Sequence, residues 1–441
     1  MNWDHLAEEQ AQKFFAAWLI LLRRESPALP LKLAGQHRPG HRAIEASDFT
    51  NGAYNICSIV TFEDGFRAVV RFPILSRSRF RTEKSRNEIS VMIFLAQHTT
   101  VPIAEVLGAG RWDCGPYIVT TYIDGTVLSK QLKGLPTTSP DWERAHRSMA
   151  QVMLELSKPT FPSIGALELE LGKWRVTKRP MTLNMNELVR VGNLPPAEFT
   201  KRTFQTAAEY FEELATQHLL HLRYQRNDAV DNEQDCRKKY IARCLFRKIA
   251  QGFEAEAGPF HLYCDDFCPS NVLVSEPDLA ITGVIDWEFT YVAPNEFLYS
   301  APWWLLLERP EGWDSNLNEF LTHYIPSLHL FLKVLKDCED GQVQKGTLTD
   351  SQRLSDRMAR SLESGVFWFC LAARRSFMFD EIYWAFLDEK YFGRLTSLDD
   401  RLSLLSQDER DELDGFVQMK MQQVAEERLD EHLDFDQLVD L

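Results

Sequence analysis

The chain has 441 residues, more than one compact domain usually contains, and this length predicts two lobes or domains. Its hydrophobic content of 44% and charged content of 26% are typical of a soluble globular protein with a large core. The formal charge of −15 argues against a general nucleic-acid binder or an anionic-membrane binder, because phosphate-rich partners would be repelled. Eight scattered cysteines indicate a reducing compartment, and we recognise no signal or transit peptide, so we expect a cytoplasmic protein.

The first 45 residues form a separate N-terminal segment. Phe14, Trp18 and Leu22 recur at helical spacing among acidic positions, which predicts an amphipathic helix over residues 1–25 that packs on the body of the protein. Prolines and a polar stretch then predict a connector up to residue 45. Protein partners of this segment cannot be inferred from the sequence.

A β-hairpin pattern begins near residue 47. Apolar runs at residues 56–62 and 66–72 flank a turn that contains Gly65, and a polar loop precedes the first run. We expect Asn51, Gly52 and Tyr54 at the tip of that loop, where backbone amides could cover nucleotide phosphates. The alternative is an ordinary turn in which the glycine supplies only a positive φ.

A helix and a second strand pair complete a small lobe over residues 46–124. Residues 82–98 have a helical pattern, with Ile89, Met92, Ile93 and Leu95 as its apolar side and Glu88 in its first two turns. Strands are predicted at 105–112 and 117–123.

The remaining residues, 125–441, are predicted to form a larger and mainly helical lobe. Helices are expected at 142–157, 199–224 and 235–253, and a polar stretch with several prolines lies between the first two. We assign a helical insert to about residues 158–255 and a helical acidic tail to the end of the chain.

Residues 261–288 contain the residues with the clearest chemistry. Asp266 precedes Asn271 by five positions, a β-branched run follows, and a second apolar run ends at Asp286. This spacing suits phosphoryl transfer, in which one carboxylate orients a hydroxyl while an amide oxygen and a second carboxylate hold Mg²⁺. Mg²⁺ prefers oxygen ligands and keeps several waters, so two protein ligands are enough.

Asp266-x-x-x-x-Asn271, followed by Ile-Asp-Trp-Glu at residues 285–288, resembles the aminoglycoside phosphotransferase family of small-molecule kinases. The resemblance implies a two-lobed, α+β, protein-kinase-like fold with a small β-rich lobe and a large helical lobe. It departs at Cys264, where the family usually has a histidine that braces the catalytic loop.

The resemblance also implies roles for individual residues. Asp266 falls on the catalytic aspartate, and Asn271 and Asp286 fall on the Mg²⁺ ligands. Arg71 lies where kinases usually carry a lysine for the nucleotide phosphates, and Glu88 is its expected ion-pair partner. The implied substrates are ATP and a small-molecule hydroxyl acceptor. The implied adenine-binding hinge comprises Thr121, Tyr122 and Ile123.

Other interpretations remain open at this stage. Arg71 in place of lysine and Cys264 in place of histidine motivate a pseudokinase that binds nucleotide or acts as a scaffold without turnover. A protein kinase is disfavoured, because no complete Ala-Pro-Glu segment follows Asp286. The aromatic residues of 289–307 could contact a cationic or flat substrate, although core packing is favoured.

Overall fold

The computed structural model describes residues 1–136, 138–255, 257–309, 312 and 317–441, with Asn318 described by its backbone alone. A small β-rich lobe that contains one long helix precedes a larger and mainly helical lobe, so the two-lobed α+β prediction is confirmed. Two helices, α1 (His5–Arg24) and α2 (Ala28–Gln36), come before the small lobe.

The small lobe is built on one antiparallel sheet in the order β1-β3-β4-β6-β5, with β2 paired to β3. Its strands are β1 (Ala43–Ala46), β2 (Thr50–Asn51), β3 (Asn55–Phe62), β4 (Arg67–Pro73), β5 (Val106–Trp112) and β6 (Gly115–Thr121). Alternate side chains point to opposite faces of a strand. Ile56 and Val60 therefore face the small-lobe core, whereas Cys57 and Ile59 face the large lobe.

Helix α3 (Arg81–His98) lies between β4 and β5 and buries a charged face. Lys84 and Glu88 are almost fully buried, whereas Ile89 and Ile93 of the predicted apolar side are only half-buried. The prediction of that face was wrong in part, because Lys84 faces Glu288 of the large lobe and Glu88 faces Arg71 of β4.

The large lobe contains the remaining elements except the last helix. Its strands are β7 (Thr126–Val127), β8 (Ala166–Glu170), β9 (Lys173–Lys178), β10 (His261–Cys264), β11 (Val272–Ser275), β12 (Ala280–Val284) and β13 (Thr290–Ala293). Its helices are α4 (Leu128–Leu132), α5 (Pro140–Ser157), α6 (Leu183–Arg190), α7 (Ala207–Tyr224), α8 (Glu233–Gln251), α9 (Asn295–Tyr299), α10 (Leu317–Gln344), α11 (Ser355–Ser364), α12 (Val366–Arg374), α13 (Phe379–Ile382), α14 (Asp388–Phe392), α15 (Leu398–Leu402) and α16 (Gln407–Glu426). The last helix of the chain, α17 (Phe435–Asp440), returns to pack on the small-lobe core. Short strands pair as β10-β13 and β12-β11-β7 beneath the small lobe.

The structure differs from the sequence-based expectations in two regions. The expected connector before residue 45 contains α2, and Pro30 lies in its first turn, where a helix tolerates proline because the missing N–H has no partner there anyway. The polar stretch between α5 and α7, which we assigned to a helical insert, holds the β8-β9 hairpin as well as α6. The region assigned to a helical insert is therefore partly β-structure.

The two terminal segments each contact both lobes. Asp4 binds Asn227 of the large lobe, while Trp18, further along α1, is buried against the small-lobe sheet. The C-terminal segment follows a similar course, because the Arg428 carbonyl also accepts from the Asn227 side chain, at 3.1 Å, and Leu438 is buried in the small-lobe core. One asparagine therefore holds both segments to the large lobe.

The helices and the cysteines of the described residues bear on membrane crossing and on disulfide bonding. None of the described helices combines the length and the apolar character that crossing a bilayer requires. All eight cysteines are free thiols.

Candidate active site

A cavity of about 780 Å³ lies between the two lobes. Its roof is the face of the small-lobe sheet that carries Ile59 and Val69, and its floor is formed by the loops after β10 and β12. All the site residues expected from the sequence line this one cavity. They are Asn51, Gly52, Tyr54, Arg71, Glu88, Thr121, Tyr122, Ile123, Asp266, Asn271 and Asp286.

The loop after β10 brings Asp266 and Asn271 together. A short 3-10 helix, Pro269–Asn271, turns the chain back so that the Asn271 amide donates to the Asp266 carbonyl at 2.9 Å and to Oδ2 of its carboxylate at 3.3 Å. Burial raises the pKa of Asp266, and the charge of Arg309 opposes that rise. At Cys264, where the sequence departs from the family pattern, the thiol donates to the Glu288 carbonyl at 3.7 Å.

Asp286 follows β12 at a sharp turn of the backbone. Its φ of 56° lies in the left-handed region, which a non-glycine residue adopts at a cost, and the conformation directs the side chain into the cavity. Oδ1 accepts from Arg71 at 2.8 Å. Burial and the nearby Glu288 raise the pKa of Asp286 to about 7, against the opposing effect of Arg71.

Arg71 joins three parts of the site. From β4 its guanidinium forms ion pairs with Glu88 of α3 and with Asp286. Only 12% of the Arg71 side chain and 2% of the Glu88 side chain are exposed, so this bridge lies largely out of water. The structure therefore brings together the two residues expected as a pair and adds Asp286 as a second partner.

A second buried ion pair was not predicted from the sequence. Lys84 pairs with Glu288, and Asn55 donates to the same carboxylate oxygen at 3.0 Å. Burial opposes ionisation of Glu288, but Lys84 and Arg71 outweigh it and lower the pKa of this carboxyl. One sequence signal could have pointed to Lys84. It lies four residues before Glu88, which was assigned to the site, so both side chains share one face of the helix.

The far wall of the cavity also contains residues that sequence reasoning did not assign to the site. Trp303, Trp304 and Leu307 line it, and Arg309 donates to Oδ1 of Asp266 at 3.0 Å. Both tryptophans are otherwise buried in the large-lobe core, which agrees with the core-packing interpretation of this aromatic segment.

The loop between β2 and β3 lies at the cavity edge. Gly52 donates its N–H to the Asn55 carbonyl at 2.8 Å and does not adopt a positive φ. The Tyr54 side chain turns into the large lobe, where its hydroxyl donates to Glu187 at 3.1 Å and its ring packs edge-on against Phe289. Tyr54 can therefore offer a nucleotide its backbone more readily than its ring.

The expected hinge leaves the small lobe at the end of β6. The Tyr122 N–H donates to the Arg67 carbonyl at 3.1 Å, and the Arg67 guanidinium lies 4.1 Å from the centre of the Tyr122 ring. Ile123 packs on Gly283 of β12, where a Cβ atom would lie 2.5 Å from the Ile123 Cδ1. These contacts fix the hinge against both lobes.

The oxygen donors of the cavity suit a hard divalent cation. Because the Asn271 amide nitrogen donates to Asp266, its Oδ1 is left free of that bond, and Asp286 has a second carboxylate oxygen beyond the one that Arg71 holds. Among the described residues no cluster of three or more His, Cys, Asp or Glu side chains could hold a metal alone. Two protein ligands and phosphate oxygens are the usual environment of Mg²⁺.

The two lobes and the cavity between them define a protein of the kinase-like class. The sequence model of the phosphotransferase enzyme family, APH, matches residues 47–297, which is more than half of the chain. The chain belongs to this family. Both terminal segments and the wall that carries Arg309 lie outside the matched residues.

Individual relatives are distant. The chain is 24% identical over 265 residues to the Clavilactone A biosynthesis cluster protein Y of Ampulloclitocybe clavipes, and the match covers 57% of this chain and 62% of that relative. A mutant aminoglycoside 2′-phosphotransferase IIIa in its GDP complex is 14% identical, with a TM-score of 0.44, over 90% of this chain and 98% of that chain. Macrolide 2′-phosphotransferase MphH from Brachybacterium faecium is 13% identical, with a TM-score of 0.37, over 80% of this chain and 97% of that chain.

Proposed function

We propose that this protein transfers the γ-phosphoryl group of ATP, with Mg²⁺, to a hydroxyl group of a small molecule. The observation that carries the proposal is the convergence of Asp266, Asn271 and Asp286 on one cavity beneath the small-lobe sheet. Phosphoryl transfer depends mainly on positioning and on neutralisation of charge, so these few groups can suffice.

The proposed step balances around the γ-phosphorus. The acceptor oxygen forms a bond to phosphorus, the bond to the β,γ-bridging oxygen breaks, and ADP leaves with that electron pair. Asp266 orients the hydroxyl and accepts its proton. Arg71, held by Glu88, contributes positive charge next to the phosphates.

Asn271 and Asp286 would hold the metal through their free oxygens. Mg²⁺ at that position neutralises charge on the phosphate oxygens. The adenine would lie against the hinge of Thr121, Tyr122 and Ile123, and the phosphates would lie under the loop that contains Asn51, Gly52 and Tyr54.

The acceptor would bind at the end of the cavity next to Asp266. Trp303, Trp304 and Leu307 line the wall at this end, which favours an acceptor with at least one apolar face. An aminoglycoside, with several positive charges, would need carboxylates there. In the part of the chain that the structure describes, Asp266 is the carboxylate at this end, and it already binds Arg309.

The test uses purified full-length protein with ATP and MgCl₂. We expect Mg²⁺-dependent hydrolysis of ATP, or transfer to members of a panel of small hydroxyl compounds, and we expect Asp286→Ala to abolish either activity. Asp278→Ala is the matched control, because Asp278 is an exposed carboxylate in the turn of the same strand pair and does not line the cavity. Binding of ADP without turnover under all conditions would refute the transfer and favour a pseudokinase.

A further inference from the structure

Arg309 lies directly beside the proposed base although it is distant from it in sequence. A 3-10 helix, Trp303–Leu306, ends at Leu307, whose φ of 60° and N–H bond to the Trp304 carbonyl turn the chain back towards the cavity. The Arg309 guanidinium then donates to Oδ1 of Asp266 at 3.0 Å. The Arg309 side chain is 43% exposed, whereas that of Asp266 is 10% exposed, so the pair forms at the edge of the cavity.

We propose that Arg309 is a positioning residue for phosphoryl transfer, which holds the Asp266 carboxylate in the direction of the acceptor hydroxyl. The inference rests on the proposed function. Asn271 binds Oδ2 of the same carboxylate at 3.3 Å, so each of the two oxygens has one protein donor. A carboxylate offers about four lone-pair sites in total, which leaves room for the acceptor hydroxyl.

The distribution of charge around the cavity explains why this position needs a cation. Among the described residues, four carboxylates line the cavity, and a bound triphosphate would add further negative charge. Arg71 pairs with Glu88 and Asp286, and Lys84 behind the cavity wall pairs with Glu288, so these two cations are already engaged with other carboxylates. Lys130 also lines the cavity, but the cation that contacts Asp266 is Arg309. Arg309 supplies the ion pair of Asp266. Without this ion pair, the phosphates would repel the Asp266 carboxylate, and its side chain would turn away from them.

We expect Arg309 to contribute to the geometry of the site and not to the stability of the protein. Its ion pair is partly exposed, and pairs of this kind contribute little to the free energy of unfolding. Misplacement of a catalytic group by about 1 Å can nevertheless lower a rate by about 100-fold. Loss of the guanidinium should therefore change kcat and leave the stability of the protein and its nucleotide affinity unchanged.

The experiment compares Arg309→Gln, Arg309→Lys and Arg309→Ala with the unaltered full chain in Mg²⁺-dependent ATP hydrolysis, in which water is the acceptor. We expect Arg309→Gln to lower kcat by about 10- to 100-fold with KM for ATP, Kd for ADP and Tm unchanged. Arg309→Lys should retain more activity because it keeps a charge, and added guanidinium ion should restore part of the activity of Arg309→Ala. Arg357→Gln is the matched control, because Arg357 lies 4.2 Å from the Tyr299 ring and does not line the cavity.

Two results would overturn the inference while leaving the proposed function in place. One is an active protein in which Arg309→Gln has an unchanged kcat. The other is a loss of kcat in Arg309→Gln that is accompanied by a similar fold loss of ADP affinity or by a clear drop in Tm. That pattern indicates a structural role. Absence of any Mg²⁺-dependent hydrolysis or transfer by the unaltered protein removes the proposed function, and this inference with it.

Discussion

The buried Lys84–Glu288 pair should be the most sensitive electrostatic contact between the lobes. The two side chains are 1% and 2% exposed, so Lys84→Met would leave a carboxylate with almost no access to water. Removal of one partner of a buried ion pair typically costs about 3–5 kcal/mol. Glu288 would keep its hydrogen bond from Asn55, so we expect about 3 kcal/mol, at the lower end of that range.

Urea denaturation, followed by tryptophan fluorescence and by circular dichroism, measures this cost, provided that the two signals give the same midpoint. A double variant, Lys84→Met with Glu288→Gln, removes both charges while Asn55 keeps a partner. It should be more stable than Lys84→Met alone. Lys178→Met is the matched control, because Lys178 and its partner Glu168 are 39% and 34% exposed, and its loss should cost less than about 1 kcal/mol.

A loss of stability in Lys84→Met no larger than that in Lys178→Met would show that the buried pair contributes no more than an exposed one. A double variant as unstable as Lys84→Met would show that the loss arises from packing and not from an uncompensated charge.

Other substitutions test the core, the terminal segments and the cavity edge. Burial lowers the pKa of His146 to about 4 from 6.5, so the unfolded chain binds more protons between these values and the free energy of unfolding should fall as the pH drops from 6.5 towards 4. His146→Leu should remove about 1.4 kcal/mol per pH unit of that slope in urea titrations, and an unchanged slope contradicts this. Asn227→Ala should lower the free energy of unfolding by about 1–3 kcal/mol and speed proteolysis of both terminal segments, because it removes donors to Asp4 and Arg428. Faster cleavage at only one end argues against a shared anchor. Gly283→Ala should weaken ADP binding in calorimetry by displacing Ile123, whereas Gly341→Ala, which has no atom within 4 Å of the added Cβ, should not; equal affinities refute the contact.

Chain length, local pattern and the family resemblance were enough to predict two lobes and the proximity of Asp266, Asn271 and Asp286. Asp266 and Asn271 are five residues apart, and Asp286 lies just after β12, which pairs with β11 after Asn271, so their proximity follows from a hairpin. The strands of the small lobe were readable for the same reason, since alternation of apolar residues is local information. The residue roles assigned to these positions stay predictions until the variants are measured.

Contacts between distant residues could not be predicted in the same way. Lys84 and Glu288 are 204 positions apart, and a lysine in a surface-like helix pattern is normally read as solvated. Burial of that helix face depends on carboxylates contributed by the other lobe. The contact of Arg309 with Asp266 could not be predicted for a similar reason, because it depends on the turn of the backbone at Leu307.

The two departures from the family pattern acquire a physical meaning from these contacts. An arginine at position 71 spreads its charge over a planar fork, so one side chain can reach Glu88 and Asp286 from different nitrogens, whereas a lysine offers one compact charge. The Cys264 thiol makes a weak hydrogen bond to the Glu288 carbonyl, and backbone pairing of β10 with β13 also holds the strand that leads into the loop of Asp266. Asp286, the proposed metal ligand, therefore stays connected to both lobes through Arg71 without the usual lysine, and the loop of the proposed base Asp266 stays paired without the usual histidine. Both features favour a working transfer site over a degenerate one.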